Sequence, residues 1–185
     1  MTEVFLISEN AVRGITNIDN NTQSKFLLSA IREAQEMGLQ QILGTALLDK
    51  IKSLIENGTI RNQENAAYKG VADSCQLYMA YQSVANLCTI SAVKISNGGL
   101  QQTYDENLNV LGIDDSWQVE GHYQQKADFF AKRLQAYILD NKDQLPELTP
   151  GKISDIKACL YSAASTSIFL GGRRGRSRYN SPKYI

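Results

Sequence analysis

Histidine is all but missing from this sequence: His122 is the single copy. No Gly-x-Ser-x-Gly elbow accompanies it, so nothing local builds a nucleophile and base around it. On the polar flank of a helical stretch it reads as a surface or hydrogen-bonded histidine. Cysteine is scarce too. Cys75, Cys88 and Cys159 form no CxxC or His-Cys pattern, and their odd number argues against a disulfide framework. A reducing compartment is expected, with Cys75 and Cys88 acting as small buried hydrophobes in an apolar helix. No stretch holds the roughly eighteen consecutive apolar residues that spanning a bilayer requires, so no membrane partner is expected. Met1 leads into Thr2, Glu3 and the short apolar run Val4 to Ile7 without a basic leader region or cleavage site. Synthesis and folding in the cytosol are therefore expected.

Phosphate-cradling and metal-ligating patterns are lacking as well. Gly98-Gly99 is followed by Leu-Gln-Gln and Gly171-Gly172 by arginines, and neither leads to Gly-Lys-Ser/Thr. Gly171 to Gly175 lacks the strand, helix and spacing of a dinucleotide fingerprint. Asp114-Asp115 and Asp105-Glu106 fit no EF-hand spacing and read as helix-capping and loop charges. The expectation is a protein that is not an enzyme, with no catalytic residue, no metal and no cofactor.

Net charge is also absent, with Lys+Arg and Asp+Glu both 19, so the whole molecule exerts no long-range pull on nucleic acid or an anionic membrane. Its distribution is uneven. From Gly171 to Ile185 the chain carries Arg173, Arg174, Arg176, Arg178 and Lys183 with no acid, which leaves the rest acidic by the same five charges. Tyr179 and Tyr184 are interleaved with these cations. Arginine's planar fork suits carboxylates, phosphates and backbone carbonyls, and the tyrosines add amphipathic anchors. Two uses stay open: the tail lies on nucleic acid, or it enters a groove on a partner protein. A merely solubilising end is the bland alternative.

What is present is ordinary globular material, 43% hydrophobic and 21% charged over 185 residues, enough for one body with appendages. After the strand-like Val4 to Ile7, the segment to Asn21 reads as irregular with one short helical turn. Asn21 or Thr22 then caps a helix carrying Leu27, Ala30, Ile31 and Ala34 at three- and four-residue spacing, which Gly38 should end. A second helix from about Leu39 to Asn57 aligns Leu43, Leu47, Ile51, Leu54 and Ile55, stopped by Asn57-Gly58. A third, about Glu64 to Val93, is apolar over much of its circumference, as expected of a helix central in the body or covered by a neighbouring subunit. Alternation about Asn97-Gly98-Gly99 predicts a projecting β-hairpin near 92–104, with Lys94, Asn97, Gly98, Gly99 and Gln101 available for subunit contact. A fourth helix follows from Ser116 to about Asn141 through Tyr123, Ala127, Phe130, Leu134, Tyr137 and Ile138. Pro146 and Pro150 should end regular structure. Lys152 to Leu170 has room for a short helix or strand, although Ser162 to Ser167 is small and polar. The fold expected is mainly α: a bundle of about four helices in a body over 1–148, then a C-terminal extension and basic docking tail over 149–185.

Ala34-Gln35, Ile42-Leu43-Gly44 and Leu47 follow one another in an order that continues through Val93-Lys94-Ile95-Ser96-Asn97-Gly98-Gly99 and the aromatic fourth helix. Leu145-Pro146-Glu147 and Ile168-Phe169-Leu170-Gly171-Gly172 complete it. Over nearly its whole length the chain thus resembles the helical head-to-tail connector, or adaptor, proteins of tailed bacteriophages, particularly those of Bacteroides and crAss-like phages. The resemblance implies a structural virion protein in the neck, between portal and tail. It would be a wedge subunit of a homo-oligomeric, twelvefold ring that extends the DNA channel, the helical body from Thr22 to Asn141 forming the wedge. It would contact copies of itself, the portal protein, and a downstream tail or neck protein, while DNA passes without sequence-specific binding. Arg173, Arg174, Arg176, Arg178, Tyr179, Lys183, Tyr184 and Ile185 would reach the portal.

Overall fold

The computed structural model describes residues 3–96, 99–102, 113–149 and 155–160. Helix α1, Glu9–Ile15, begins where Ser8, in extended backbone, turns its side-chain oxygen onto the Ala11 amide at 3.2 Å. Glu9 in the first turn suits the positive end of the helix dipole. The helix stops at Thr16, whose amide and hydroxyl both bond the Val12 carbonyl. Arg13 then reaches forward to the carbonyls of Asp19 at 2.5 Å and Thr22 at 2.7 Å, pinning the following loop. The segment expected to be mostly irregular is thus organised by one cap and one arginine. The apolar run before it is not a strand. Gln35, fully buried, accepts from the Leu6 amide at 2.9 Å and donates to the Val4 carbonyl at 3.0 Å, pairing this segment with a side chain instead.

Helix α2, Ser24–Glu33, starts after Gln23 rather than from a cap at Asn21 or Thr22. It does not end at Gly38. The chain continues through a π-helical segment, Ala34–Leu39, into α3, Gln40–Leu43. Gly38 serves packing here, since a Cβ at that position would collide with the hydroxyl of Tyr78. The break falls at Gly44, whose φ of 78° and ψ of 160° lie where L side chains are strongly disfavoured. The expected second helix is therefore divided, and α4 runs Thr45–Glu56 with Leu47, Leu48, Ile51 and Leu54 buried. Gly58, at φ 68°, closes it, while Asn57 keeps right-handed angles.

Helices α5, Ala66–Ala92, and α6, Ile113–Asp140, form the axis of a mainly helical molecule. At about 1.5 Å per residue each is roughly 40 Å long. They pack most extensively on each other, and α2, α1 and the π-helical segment cover further faces of α5. Its central position accounts for much of its wide apolar circumference. Val71, Cys75, Met79 and Ala80 are buried on α5 and Ala127, Leu134 and Ile138 on α6. Gly70 lets the two helices close up, since the ring and hydroxyl of Tyr137 occupy the space of its missing side chain.

Strands β1, Val93–Ser96, and β2, Gly99–Gln102, pair antiparallel with Lys94 opposite Gln101 and Ser96 opposite Gly99. Asn97 and Gly98, between them, lie outside the described residues. Helix α6 ends at Asp140, ahead of Pro146, and that proline opens a 3-10 turn, Pro146–Leu148, rather than ending regular structure. The turn is tied back to the body by Glu147, which accepts from the Tyr68 hydroxyl at 2.8 Å, and by the buried Leu145. Pro150 lies outside the described residues.

Residues 155–160 are neither helix nor strand, in contrast to the element expected within Lys152 to Leu170. They form a strap across the α3–α4 junction. The Thr45 amide donates to the Ile156 carbonyl at 3.0 Å and the Cys159 amide to the Gln41 carbonyl at 2.8 Å. The Thr45 hydroxyl accepts from the Ile156 amide at 3.2 Å.

Candidate interaction site

Two surfaces of the α5–α6 pair carry chemistry. The first is an aromatic and cationic stripe. Tyr123, Phe130 and Tyr137, with Lys126 and Arg133 between them, recur on one side of α6 at three- and four-residue spacing. Tyr81 of α5 stacks on Phe130 at 5.4 Å between ring centroids and on Tyr123 at 6.4 Å. Lys126 lies 4.9 Å from the Tyr123 ring and 5.5 Å from that of Tyr81, and Arg133 is 5.8 Å from Phe130. Such cation–π contacts hold the charged ends against the rings at about 0.5–1 kcal/mol each on an exposed surface. Beside the stripe Phe129 is 58% exposed, and near the start of α6 Trp117 is 61% exposed. Aromatic side chains this bare are costly to leave in water and are typical anchors of protein interfaces.

The second surface is a groove of about 480 Å³ bounded by α6, the floor of α5 and the π-helical segment with α3. Amides dominate it. Gln82 and Gln124 bond each other reciprocally, at 2.9 and 3.1 Å, bridging α5 to α6, and Gln124 also donates to Asp128 at 2.9 Å. Tyr78 lies on the floor; burial first, and the Asp128 carboxylate next, push its ionisation well above the usual tyrosine range. At the far end Gln135 donates to the Cys159 carbonyl at 2.9 Å, so the strap closes the groove there.

Among the expected contact residues, Lys94, Gly99 and Gln101 lie in the β1–β2 ladder. Asn97 and Gly98 are outside the described residues, as are Arg173, Arg174, Arg176, Arg178, Tyr179, Lys183, Tyr184 and Ile185. His122 is exposed, its ring edge-on to Tyr123 at 6.0 Å between centroids. Asp114 and Asp115 lie in the first turn of α6, and Asp105-Glu106 is outside the described residues. Among the described residues, no three His, Cys, Asp or Glu side chains cluster as a metal site. Cys75 is fully buried, and burial pushes its thiol far above the ordinary range, which makes it inert. Sequence reading missed the glutamines. Gln35 and Gln135 occupy core-facing positions beside Ala34 and Leu134, and a polar residue at such a position was the signal available.

A family model described as Family of unknown function (DUF6712) matches residues 39–155, more than half of the chain. No curated protein and no solved structure matches. The matched region takes in α3 to α6 and with them the aromatic stripe, while Glu33, Met37, Gly38 and Cys159 of the groove lie outside it.

Proposed function

We infer, from the premise that this chain belongs to the family of unknown function (DUF6712), that it is a non-enzymatic structural subunit of a ring. The ring is a phage head-to-tail connector docked on the portal. The observation that carries the reading is the pair of bare aromatic side chains that α6 carries outside the stripe, Phe129 at 58% and Trp117 at 61% exposure. A second copy covering such side chains would remove from water the most exposed aromatic groups among the described residues. The ordered sequence resemblance to connector proteins supplies the kind of assembly. Within it a helical bundle carries a β-hairpin near 92–104 for neighbour contact and an extended C-terminal tail for the portal. The five cations of that tail, set against an acidic remainder, suit docking on protein, while the body lines a channel that DNA traverses without being gripped.

Electron microscopy and native mass spectrometry of the chain mixed with the portal protein from its own genome test this. A closed ring on the portal is expected. Deleting Gly171 to Ile185 should abolish docking while leaving the helical circular dichroism intact, and equal docking by the truncated chain would remove the tail from the mechanism. No assembly at any concentration, combined with duplex DNA binding that weakens steeply with salt, would replace the ring by a DNA-binding accessory role.

A further inference from the structure

We propose that the amide-lined groove between α5 and α6 is a receptor for this chain's own segment Ser162–Ser167, laid in as an extended peptide. Four observations converge on it. The strap delivers the chain to the groove's end: Cys159 lines that end, and Leu160 packs against the core beside it. The groove already receives backbone there, since the Cys159 amide bonds the Gln41 carbonyl and its carbonyl accepts from Gln135. Beyond that point the amide hydrogens of Gln124 and Gln82 are spent on each other, Asn86 and Asp128, which leaves each side-chain carbonyl oxygen one further lone pair for an N–H of an extended chain. The Tyr78 side chain is 4% exposed and lines the groove.

Length and composition fit the same occupant. From Gln135 to Gln124 the groove follows α6 for eleven residues, which at 1.5 Å per residue is about 16 Å. An extended chain covers that in roughly five residues. After Tyr161, the residues Ser-Ala-Ala-Ser-Thr-Ser over Ser162–Ser167 have side chains small enough to let backbone approach the amides closely. This seating also fixes where the chain beyond Leu170 departs from the body. It is independent of whether the protein forms a connector ring.

Hydrogen–deuterium exchange on the full-length chain, resolved by peptide fragment, tests it. Amides of 162–167 should exchange at least about tenfold more slowly than those of 175–185. Replacing Ala163 and Ala164 together by Trp should remove that protection without touching the core, and filling the groove with Ala131→Trp should remove it from the other side. Circular dichroism should stay unchanged in both. Equal exchange rates for the two segments, or protection that survives both variants, would overturn the proposal. Protection that appears only as concentration rises would overturn it too, by assigning the groove to the segment of a second copy.

Discussion

Glycine illustrates how one residue type serves three physical purposes in this chain. Gly44 sits at φ 78°, and a Cβ there would lie 2.9 Å from both the Ala158 amide nitrogen and the Ile156 carbonyl oxygen. Gly44→Ala should therefore cost about 1–3 kcal/mol in backbone strain alone. It should also loosen the strap, read as a lower urea midpoint with faster exchange of the Thr45 and Cys159 amides. Gly14, inside α1, has nothing within 4 Å and no unusual backbone angle. Gly14→Ala should raise stability by about 0.5–1 kcal/mol in the same urea titration, since alanine loses less chain entropy in a helix. Gly38 and Gly70 act through space instead, each admitting a tyrosine from the facing helix. Gln35 is the polar counterpart: Gln35→Leu strands the Leu6 amide and Val4 carbonyl, with an expected loss of about 1–3 kcal/mol by chemical denaturation.

At the scale of elements, α6 separates what holds the fold from what is available for contact. Leu134 is fully buried against α5, so Leu134→Ala should destabilise by about 2–5 kcal/mol. Phe129, about two fifths of a turn away around the helix, is mostly exposed. Phe129→Lys should change the unfolding free energy by no more than about 0.5 kcal/mol. If α6 is the neighbour-facing edge of a ring, the same change should shift sedimentation of concentrated protein toward monomer. An unaltered sedimentation profile would place subunit contact elsewhere, the β1–β2 ladder being the next surface to vary. Helix α5 offers a contrast. Much of its apolar breadth is covered by α6, α2, α1 and the π-helical segment within the chain, while Leu77 stays 37% exposed.

For the whole molecule, the ionisations that folding perturbs most are alkaline. Burial, then the hydrogen bond to Glu147, pushes Tyr68 up from 10.0 to about 12, and burial likewise raises Tyr78 and Cys75. A group neutral in the folded state but ionised in the unfolded one favours unfolding above its unfolded value. Stability should thus begin to fall above about pH 9, where the unfolded Cys75 ionises, and fall further between about pH 10 and 12, as the unfolded Tyr68 ionises and the folded one does not. In denaturant titrations across that window Tyr68→Phe should reduce the slope, and an unchanged slope would assign the loss to other groups. Exposed ion pairs such as Arg32–Glu3 and Lys69–Asp73 add little to the total and weaken with salt.

Sequence alone determined the helical class, the long third and fourth helices, and the apolar stripe of α4, because a 3.6-residue apolar period is written locally and survives any arrangement of neighbours. Gly58 as a helix stop was legible for the same reason. The π-helical passage through Gly38, the break at Gly44 and the division of the second helix were decided by tertiary structure. Both glycines look alike as helix enders, and only the tyrosine hydroxyl over one and the strap over the other assign their roles. The groove was invisible for a related reason: Gln82, Gln124 and Gln135 are unremarkable surface types until α5 and α6 lie side by side and turn them toward one another. Local periodicity specifies which face of a helix is apolar, whereas which polar side chains meet depends on contacts between residues 42 positions apart in the chain.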